Sequence, residues 1–212
     1  MAIGADNKLM PTFQENWFDD DAINALREYA DHTRNLPGTV MEVGCWEGKS
    51  TVALANAVNP CIVHAVDHWL GCTGDEKHIT DQELYVHKRD IYGNFLRNIA
   101  EGTAGNVKVH KQDWREVFAT WDEPIKILHI DASHTMEEVR DNILAALPFL
   151  VHDGVICGHD YGHPPVYAGI TAALPRHAYN GLWYYVHDKP SPPVQPEPQV
   201  FYSTGFLPGK RL

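Results

Sequence analysis

Positive charge is scarce in this sequence, and long apolar runs are missing from it. The 212 residues include 17 Lys and Arg against 28 Asp and Glu, which gives a net charge of −11. Because a nucleic-acid backbone is bound by a basic surface, this composition argues against a nucleic-acid partner. No run approaches the ~20 apolar residues of a membrane span. The N-terminus also lacks the basic and then apolar pattern of a secretory signal, so we expect no membrane partner.

Cysteine pairs and histidine motifs are missing as well. The four cysteines form no CxxC pair, and they are Cys45, Cys61, Cys72 and Cys157. Since two of them fall in or beside apolar runs typical of strands, we expect reduced thiols in a cytoplasmic protein. The 13 histidines contain no HExxH pattern, so the metal-binding helix of the zinc proteases is not indicated.

Short apolar runs alternate with helical segments as far as residue 160. The runs that predict strands are residues 39–43, 61–66, 107–110, 125–130 and 155–157. The predicted helices end near residues 34, 58, 101, 150 and 174. This alternation predicts an α/β fold, with a Rossmann-like, doubly wound and mostly parallel sheet. Two further strands, at residues 182–187 and 199–202, would complete seven strands with an antiparallel C-terminal edge.

The expected organisation is a single domain over residues 1–212. Residues 1–37 are predicted to form an N-terminal helical segment. Residues 68–90 are polar and without clear periodicity, and an insertion of this length is typical of a lid or binding loop. Five prolines within residues 189–198 predict a stiff, exposed connection between the last two strands.

Polar side chains follow the fourth and fifth predicted strands. Asp131 and His134 come after one, and His159 and Asp160 come after the other. Because ligands collect beyond the carboxyl ends of parallel strands, we expect these four side chains around one crevice. Carboxylates and imidazoles there can bind a metal ion or move a proton.

A glycine turn follows the first strand, in the pattern Glu42-x-Gly44-x-x-x-Gly48. The spacing matches neither GxGxxG nor the phosphate-binding P-loop. Glycine permits a tight turn and a close approach to a ligand, while Glu42 suits a ligand with an amino group or a positive charge. A purely structural turn between strand and helix is the alternative.

Two more carboxylates lie at strand ends. Asp67 ends the second strand, where a carboxylate accepts hydrogen bonds from ribose hydroxyls in nucleoside-binding folds, or else caps a loop. Asp113 follows the third strand and either faces an adenine or caps the helix that begins there.

Together these motifs resemble the class I S-adenosylmethionine-dependent methyltransferases. Within that class they look like the sugar O-methyltransferases of the macrocin and mycinamicin type. The resemblance covers roughly residues 38–162, and the segments that carry it are residues 42–50, 66–71, 129–134, 137–141 and 154–161. It implies that Gly44 and Gly48 line the methionine part of the donor, that Ser50 or Thr51 reaches its carboxylate, and that Asp67 holds its ribose.

The resemblance also implies a divalent cation, Mg²⁺ or Mn²⁺, held by Asp131 and Asp160. The relatives have Glu where this chain has His159, so His159 is either the third ligand or a residue that orients Asp160. Magnesium prefers oxygen ligands, whereas imidazole suits softer metals. His134 corresponds to the catalytic base of these enzymes, which removes the proton of a sugar hydroxyl.

The implied acceptor is a small saccharide or a polysaccharide precursor. In size the chain also looks like the methyltransferases of methylmannose polysaccharide synthesis, which act on a mannoside. Candidates for stacking on a sugar ring are Trp17, Trp69, Tyr161 and Tyr167. We expect a homo-oligomer, with a dimer as the first guess. The alternatives are a catechol-type O-methyltransferase, a non-catalytic donor-binding protein and, less favoured, a metal-dependent hydroxylase or hydrolase.

Overall fold

A computed structural model describes residues 10–71, 89–174 and 176–188 of the chain. These residues form a seven-stranded sheet with the order β3-β2-β1-β4-β5-β7-β6. Strands β1 to β5 are parallel, and β7 and β6 add an antiparallel edge, so the predicted fold class is confirmed. The strands are β1 Thr39–Val43, β2 Val63–Asp67, β3 Val107–Lys111, β4 Ile125–Ile130, β5 Leu150–Gly158, β6 Ala178–Tyr179 and β7 Trp183–Val186.

Six α-helices cover the two faces of the sheet in the described part of the chain. They are α1 Asp20–His32, α2 Lys49–Val58, α3 Ile91–Gly102, α4 Trp114–Ala119, α5 Met136–Ala146 and α6 Pro164–Ala173. Side chains that accept a backbone N–H begin several of them, as the sequence indicates: Asp19 caps α1, Asp90 caps α3 and Thr135 caps α5. None of these helices is long and apolar enough to cross a membrane.

The sheet separates two apolar cores, because consecutive strand residues point to opposite faces. Met41 and Leu128 pack on one face with α5 and α6, whereas Val40 and Ile127 pack on the other with α1 and α2. All residues of β1 and β4 are buried. Helices on both faces therefore explain why these central strands read as continuous apolar runs in the sequence.

The prediction for the segment around residue 150 was wrong. Helix α5 ends at Ala146, a 3₁₀ turn at Leu147–Phe149 contains Pro148, and β5 begins at Leu150 rather than at residue 155. Proline favours this early end because it cannot donate a helical hydrogen bond. Asp153 has a φ of 61°, and the register of β4 against β5 shifts nearby, so the strand contains an irregularity that breaks its apolar run.

The antiparallel edge contains a short strand that the sequence analysis did not predict. The two-residue strand β6 pairs with β7 at Ala178–Tyr184 and Tyr179–Trp183. A strand of two residues has too little sequence to be recognised by alternation. The predicted strand at residues 199–202, the proline-rich residues 189–198 and residues 72–88 of the predicted lid lie outside the described residues.

Candidate active site

A cavity of about 610 Å³ lies beyond the carboxyl ends of the parallel strands. Loops that follow β1, β2, β3, β4 and β5 all contribute to its lining, which is the expected place for a ligand in an open α/β sheet. Its size is that of a small-molecule or cofactor site, which runs from roughly 300 to 1,000 Å³. The predicted site residues that line it are Gly44, Asp67, Asp113, Asp131, His134, His159 and Asp160.

Gly44 brings the first turn against the end of β4. Its φ is +86°, and an added Cβ would lie 2.1 Å from the backbone oxygen of Asp131. Only glycine can therefore occupy this position without displacing the neighbouring loop. The turn after β1 and the residue at the end of β4 are in this way brought to the same wall of the cavity.

Asp67 holds the shape of the turn while it lines the cavity. Its carboxylate accepts the backbone N–H groups of Cys45 at 2.8 Å, Trp46 at 3.1 Å and Trp69 at 2.7 Å. A carboxylate offers about four acceptor positions, so three backbone bonds leave capacity for a ligand hydroxyl. Both predicted roles, loop cap and ribose contact, are compatible with this position.

Asp113 caps α4 at the far side of the cavity. Its carboxylate accepts the Arg115 N–H at 2.8 Å, and its side chain is 38% exposed. Trp114 and Arg115 also line the cavity, and the guanidinium of Arg115 lies 4.2 Å from the centre of the Trp114 ring. The sequence analysis missed these two residues, although their place directly after Asp113 at a strand end is a usable signal.

Four candidates for contact with the donor do not line the cavity. Glu42 is fully buried, accepts a hydrogen bond from the Thr51 hydroxyl and lies 3.0 Å from Nδ1 of His129. Its position one residue before the end of β1 directs the side chain into the layer between sheet and helix instead of the strand edge. The predicted contacts of Glu42 and Thr51 with a ligand therefore have no support from the geometry.

Gly48 and Ser50 belong to the same buried layer. Gly48 precedes α2 with a φ of +87°, and an added Cβ would lie 2.9 Å from the Phe95 ring. Glycine is needed there for the contact between α2 and α3. Ser50, the second residue of α2, is 6% exposed. The geometry gives neither residue a place in the cavity wall.

Acidic and imidazole side chains meet at one end of the cavity. Nε2 of His134 lies 2.9 Å from Oδ2 of Asp160, and Nδ1 of His159 lies 3.4 Å from the same oxygen. Asp131, His134 and Asp160 each offer one ligand atom within 4.8 Å of the others, a group able to hold a metal ion. The expected set contained His159 as the third member. The structure instead brings His134 into the group.

The environment separates the ionisation of the two carboxylates. Burial raises the pKa of Asp131, although the nearby His159 opposes this effect. Burial acts in the same direction on Asp160, but hydrogen bonds from His134 and His159 outweigh it and lower the pKa of Asp160 far below its usual range. Divergent pKa values in neighbouring acids are typical of functional sites.

The carboxylates beside His159 favour the protonated form of its ring. Its hydrogen bond with Asp160 is the main reason that its pKa rises to about 9, against the opposing effect of burial. The 3.4 Å contact of its Nδ1 with Oδ2 of Asp160 fits the second of the two roles considered for His159, which is to orient Asp160.

The mouth of the cavity is formed by tryptophans and by the segment before α1. Trp17 is 53% exposed, and its ring lies 5.6 Å from that of Trp46. Trp69 is buried and donates its indole N–H to the Trp46 carbonyl at 2.9 Å. Both Trp17 and Trp69, two of the expected aromatic contacts, line the cavity, whereas Tyr161 and Tyr167 do not.

A partly buried ion-pair network holds this N-terminal segment in place. Arg89 contacts the carboxylates of Glu15 and Glu47, and the Trp46 indole N–H donates to Glu15 at 3.2 Å. Burial opposes ionisation of Glu15, but hydrogen bonds from Arg89 and Trp46 lower its pKa. Trp17 is thus fixed two residues from an anchored position, so the N-terminal segment is placed to help enclose a ligand.

The chain is similar in fold to several methyltransferases of solved structure. The O-methyltransferase NovP matches with a TM-score of 0.62 and 17% identity over 80% of each chain. The apo structure of CalS11, the TDP-rhamnose 3'-O-methyltransferase of calicheamicin biosynthesis, matches with a TM-score of 0.53 and 12% identity over 80% of this chain and 81% of its own. TomG from Streptomyces achromogenes, an O-methyltransferase of tomaymycin synthesis in complex with SAM, gives 0.53 and 15% over 80% and 82%.

These identities are low, so the likeness establishes the fold. No curated protein matches the sequence. A family model described as a methyltransferase domain matches residues 41–161, which is more than half of the chain. The matched region runs from β1 to the residue after Asp160 and so includes both the glycine turn and the acidic group. The chain therefore belongs to the methyltransferase-domain family and has the class I methyltransferase fold.

Proposed function

We propose that this protein transfers the methyl group of S-adenosylmethionine to a hydroxyl oxygen of a saccharide, with the help of a divalent cation. The observation that carries the proposal is the shape of one cavity. The glycine turn and Asp67 form one wall, and the group of Asp131, His134 and Asp160 closes one end. A donor and an acceptor can thus be held next to each other, and such positioning supplies much of the rate of a group transfer.

The donor wall fits an adenosyl sulfonium compound. Asp67 retains acceptor capacity for ribose hydroxyls, and Asp113 with Trp114 offers a carboxylate and an aromatic ring at the place expected for adenine. The lining carboxylates Asp67, Asp131 and Asp160 suit a ligand with positive charge. Bound there, the donor supplies an electrophilic methyl group on a good leaving group.

The donor set at the other end fits a divalent cation. Two carboxylates and one imidazole provide both oxygen and nitrogen ligands, and this mixture favours Mn²⁺ over Mg²⁺. Three protein ligands leave the remaining coordination positions of the cation for further oxygen ligands. A cation at this site would supply Lewis acidity toward the acceptor hydroxyl.

His134 is suited to remove a proton from the acceptor. Because the Asp160 carboxylate only accepts, the 2.9 Å contact gives Nε2 of His134 the hydrogen. The lone pair of the neutral ring then lies on Nδ1, and a carboxylate that fixes the tautomer in this way is a familiar arrangement for a general base. The same imidazole could instead bind the metal, so the experiments must separate a base from a ligand.

A saccharide acceptor is supported by three features. The sequence motifs resemble those of sugar O-methyltransferases, a structure of similar fold is a TDP-rhamnose 3'-O-methyltransferase, and Trp17 presents an exposed ring beside the cavity. A polysaccharide precursor, and a mannoside in particular, is one candidate within this class. The net charge of −11 disfavours nucleic acid as the acceptor. A homodimer and a cytoplasmic location are part of the same proposal.

The test combines donor binding with an acceptor screen. Calorimetric titration of S-adenosylmethionine is performed with and without Mn²⁺ or Mg²⁺, and methyl transfer to neutral mono- and oligosaccharides and to catechol is followed by mass. We expect donor binding without metal and metal-dependent methylation of a saccharide. Transfer to catechol alone would assign the protein to the catechol-type enzymes. Donor binding without transfer to any acceptor would instead support the non-catalytic alternative.

A further inference from the structure

A second aromatic group lies beside the acidic end of the cavity but outside its lining. Tyr161, Tyr167, His177 and Tyr179 form it, and we call it the tyrosine platform. The rings of Tyr161 and Tyr179 are stacked, with centroids 5.1 Å apart and an interplanar angle of 16°. The ring of Tyr167 meets that of Tyr161 edge-on at 5.3 Å. Three separate chain segments thus converge on one aromatic cluster.

Two of the three tyrosine side chains of the platform are exposed to solvent. Tyr179 is 59% exposed and Tyr167 is 46% exposed. Rings that served only to pack the β6–β7 hairpin onto α6 would bury most of their area. An exposed aromatic patch is more typical of a surface that receives a partner or ligand.

The platform continues directly from the proposed metal site. Tyr161 follows Asp160 in the chain, so their Cα atoms are only about 3.8 Å apart. The hairpin side of the platform is fixed to the same site, because the residue paired with Tyr179 is Trp183, whose indole N–H donates to the His159 carbonyl at 2.9 Å. The platform and the acidic end of the cavity are therefore close neighbours in the fold.

The polar atoms of the platform suit a neutral ligand with many hydroxyls. Nδ1 of His177 lies 3.2 Å from the Leu174 carbonyl, which can only accept, so the neutral ring presents Nε2 as an acceptor. Tyr167 and Tyr179 are exposed, and their phenol hydroxyls can each donate and accept a hydrogen bond. Arg176, which precedes His177 in the chain, pairs with Asp188 at 2.7 Å, so its charge is balanced.

We propose that the tyrosine platform binds the second sugar ring of the acceptor, so that the substrate is an oligosaccharide chain rather than a monosaccharide. This inference rests on the proposed sugar O-methylation. The apolar C–H face of a pyranose packs on the face of an aromatic ring, while its hydroxyls remain at the edge for His177 and the phenols. The reacting ring lies at the Asp160 end, and the next ring lies on Tyr179 and Tyr167.

The test compares acceptors of different length in the full-length protein. Methyl mannoside and methyl glucoside are compared with their oligomers of two and four units, and kcat and KM are measured for each. We expect a higher kcat/KM for the oligomers through a lower KM. In Tyr179→Ala the ratio of oligomer to monomer kcat/KM should fall roughly three- to tenfold. Tyr179→Phe, which keeps the ring face, should retain the ratio.

Ile62→Ala is the matched control, since it removes a 43% exposed side chain at the opposite end of the strands and should leave both substrates unaffected. Saturation-transfer NMR with the tetrasaccharides gives a readout that does not depend on turnover, and its signal should weaken in Tyr179→Ala. Transfer without length dependence, or an unchanged ratio in Tyr179→Ala, would overturn the platform alone. If no saccharide is either methylated or bound, the proposed function fails and the platform with it.

Discussion

Two histidine pairs in this molecule lie in environments that shift the histidine pKa in opposite directions. His134 and His159 lie at the strand edge around Asp160, and the pKa of His159 rises to about 9. His64 and His110 lie on the face of β2 and β3, with Nδ1 of the first 2.9 Å from Nε2 of the second. There burial, together with unfavourable electrostatic interactions with His110 and Lys108, lowers the pKa of His64 to about 4.

The difference comes from the partner of the ring. Both regions are partly or fully shielded from water, and burial alone disfavours the imidazolium in each. The Asp160 carboxylate reverses this effect for His159, whereas the ring of His64 contacts another imidazole and the edge of Trp121. Burial therefore favours the neutral form of the pair on the sheet face, whereas the carboxylates favour the protonated form of His159 at the strand edge.

The largest effect is expected from removal of the shared carboxylate. Asp160 has a φ of 56°, a conformation that asparagine tolerates, so Asp160→Asn should keep the backbone while it removes the charge. We expect kcat/KM for methyl transfer to fall by about 10³-fold, since proton transfer and metal binding both depend on this group. Donor affinity, measured by calorimetry, should change little.

Asp188→Asn is the control for this substitution, because it removes an exposed carboxylate that pairs only at the surface with Arg176 and Tyr185. Its rate should match that of the unmodified protein. A near-normal rate in Asp160→Asn would mean that the Asp160 carboxylate takes no part in the reaction. The two histidine regions would then not differ in function.

The next effect separates the two roles of His134. His134→Gln should lower kcat by about 10²- to 10³-fold if the ring is a general base. Under that role Mn²⁺ binding, followed by loss of the free Mn²⁺ signal in electron paramagnetic resonance, should be nearly unchanged. A large loss of Mn²⁺ affinity would make His134 a ligand, as its place in the group with Asp131 and Asp160 permits.

The pair on the sheet face should reveal itself in acid stability. Because the folded-state pKa of His64 lies near 4, below the usual 6.5, the unfolded chain binds more protons between these values. This contribution to stability is complete above pH 6.5 and is lost as the pH falls through about 4. For His64 alone it corresponds to roughly 3 kcal/mol.

Urea unfolding at pH 7 and at pH 4.5, followed by tryptophan fluorescence, measures this contribution. The decrease in the free energy of unfolding between the two values should be smaller in His64→Leu than in the unmodified protein. His152→Leu replaces a ring that is 44% exposed and should leave the decrease as it was. An identical decrease in both variants would contradict the assignment of His64 as a buried neutral base.

The position of each site residue along its strand decides whether its place in the site could be predicted from the sequence. Asp67, Asp131 and Asp160 lie at or directly after strand ends, and parallel strands bring such ends to one edge, so their convergence followed from the chain order alone. Glu42 lies one residue before the end of β1, and that single residue is enough to bury it. A one-residue shift along a strand reverses the face of the sheet, and sequence patterns do not fix strand ends to this precision.

Contacts between distant segments were beyond sequence analysis. Strands β2 and β3 pair in a register that places Val66 beside His110. His64 precedes Val66 by two residues and so points to the same face of the sheet, where its ring contacts that of His110. The tyrosine platform joins residues after β5, on α6 and on β6. The sequence suggested Tyr161 and Tyr167 as aromatic contacts, but the hairpin that adds Tyr179 rests on a strand of only two residues. Register and short edge strands are set by packing across the whole sheet.

The smallest effect concerns His159 and refines the picture of the charged region. If the His159 ring only orients Asp160, His159→Gln should weaken Mn²⁺ binding by about tenfold, because residues that hold a metal ligand in place have effects of this size. The value of kcat should fall by a similar factor. His152→Gln should have neither effect. Loss of Mn²⁺ binding altogether would identify His159 as a ligand in its own right. A partial loss of Mn²⁺ affinity that is smaller than the loss in Asp160→Asn would instead show that His159 acts through the Asp160 carboxylate.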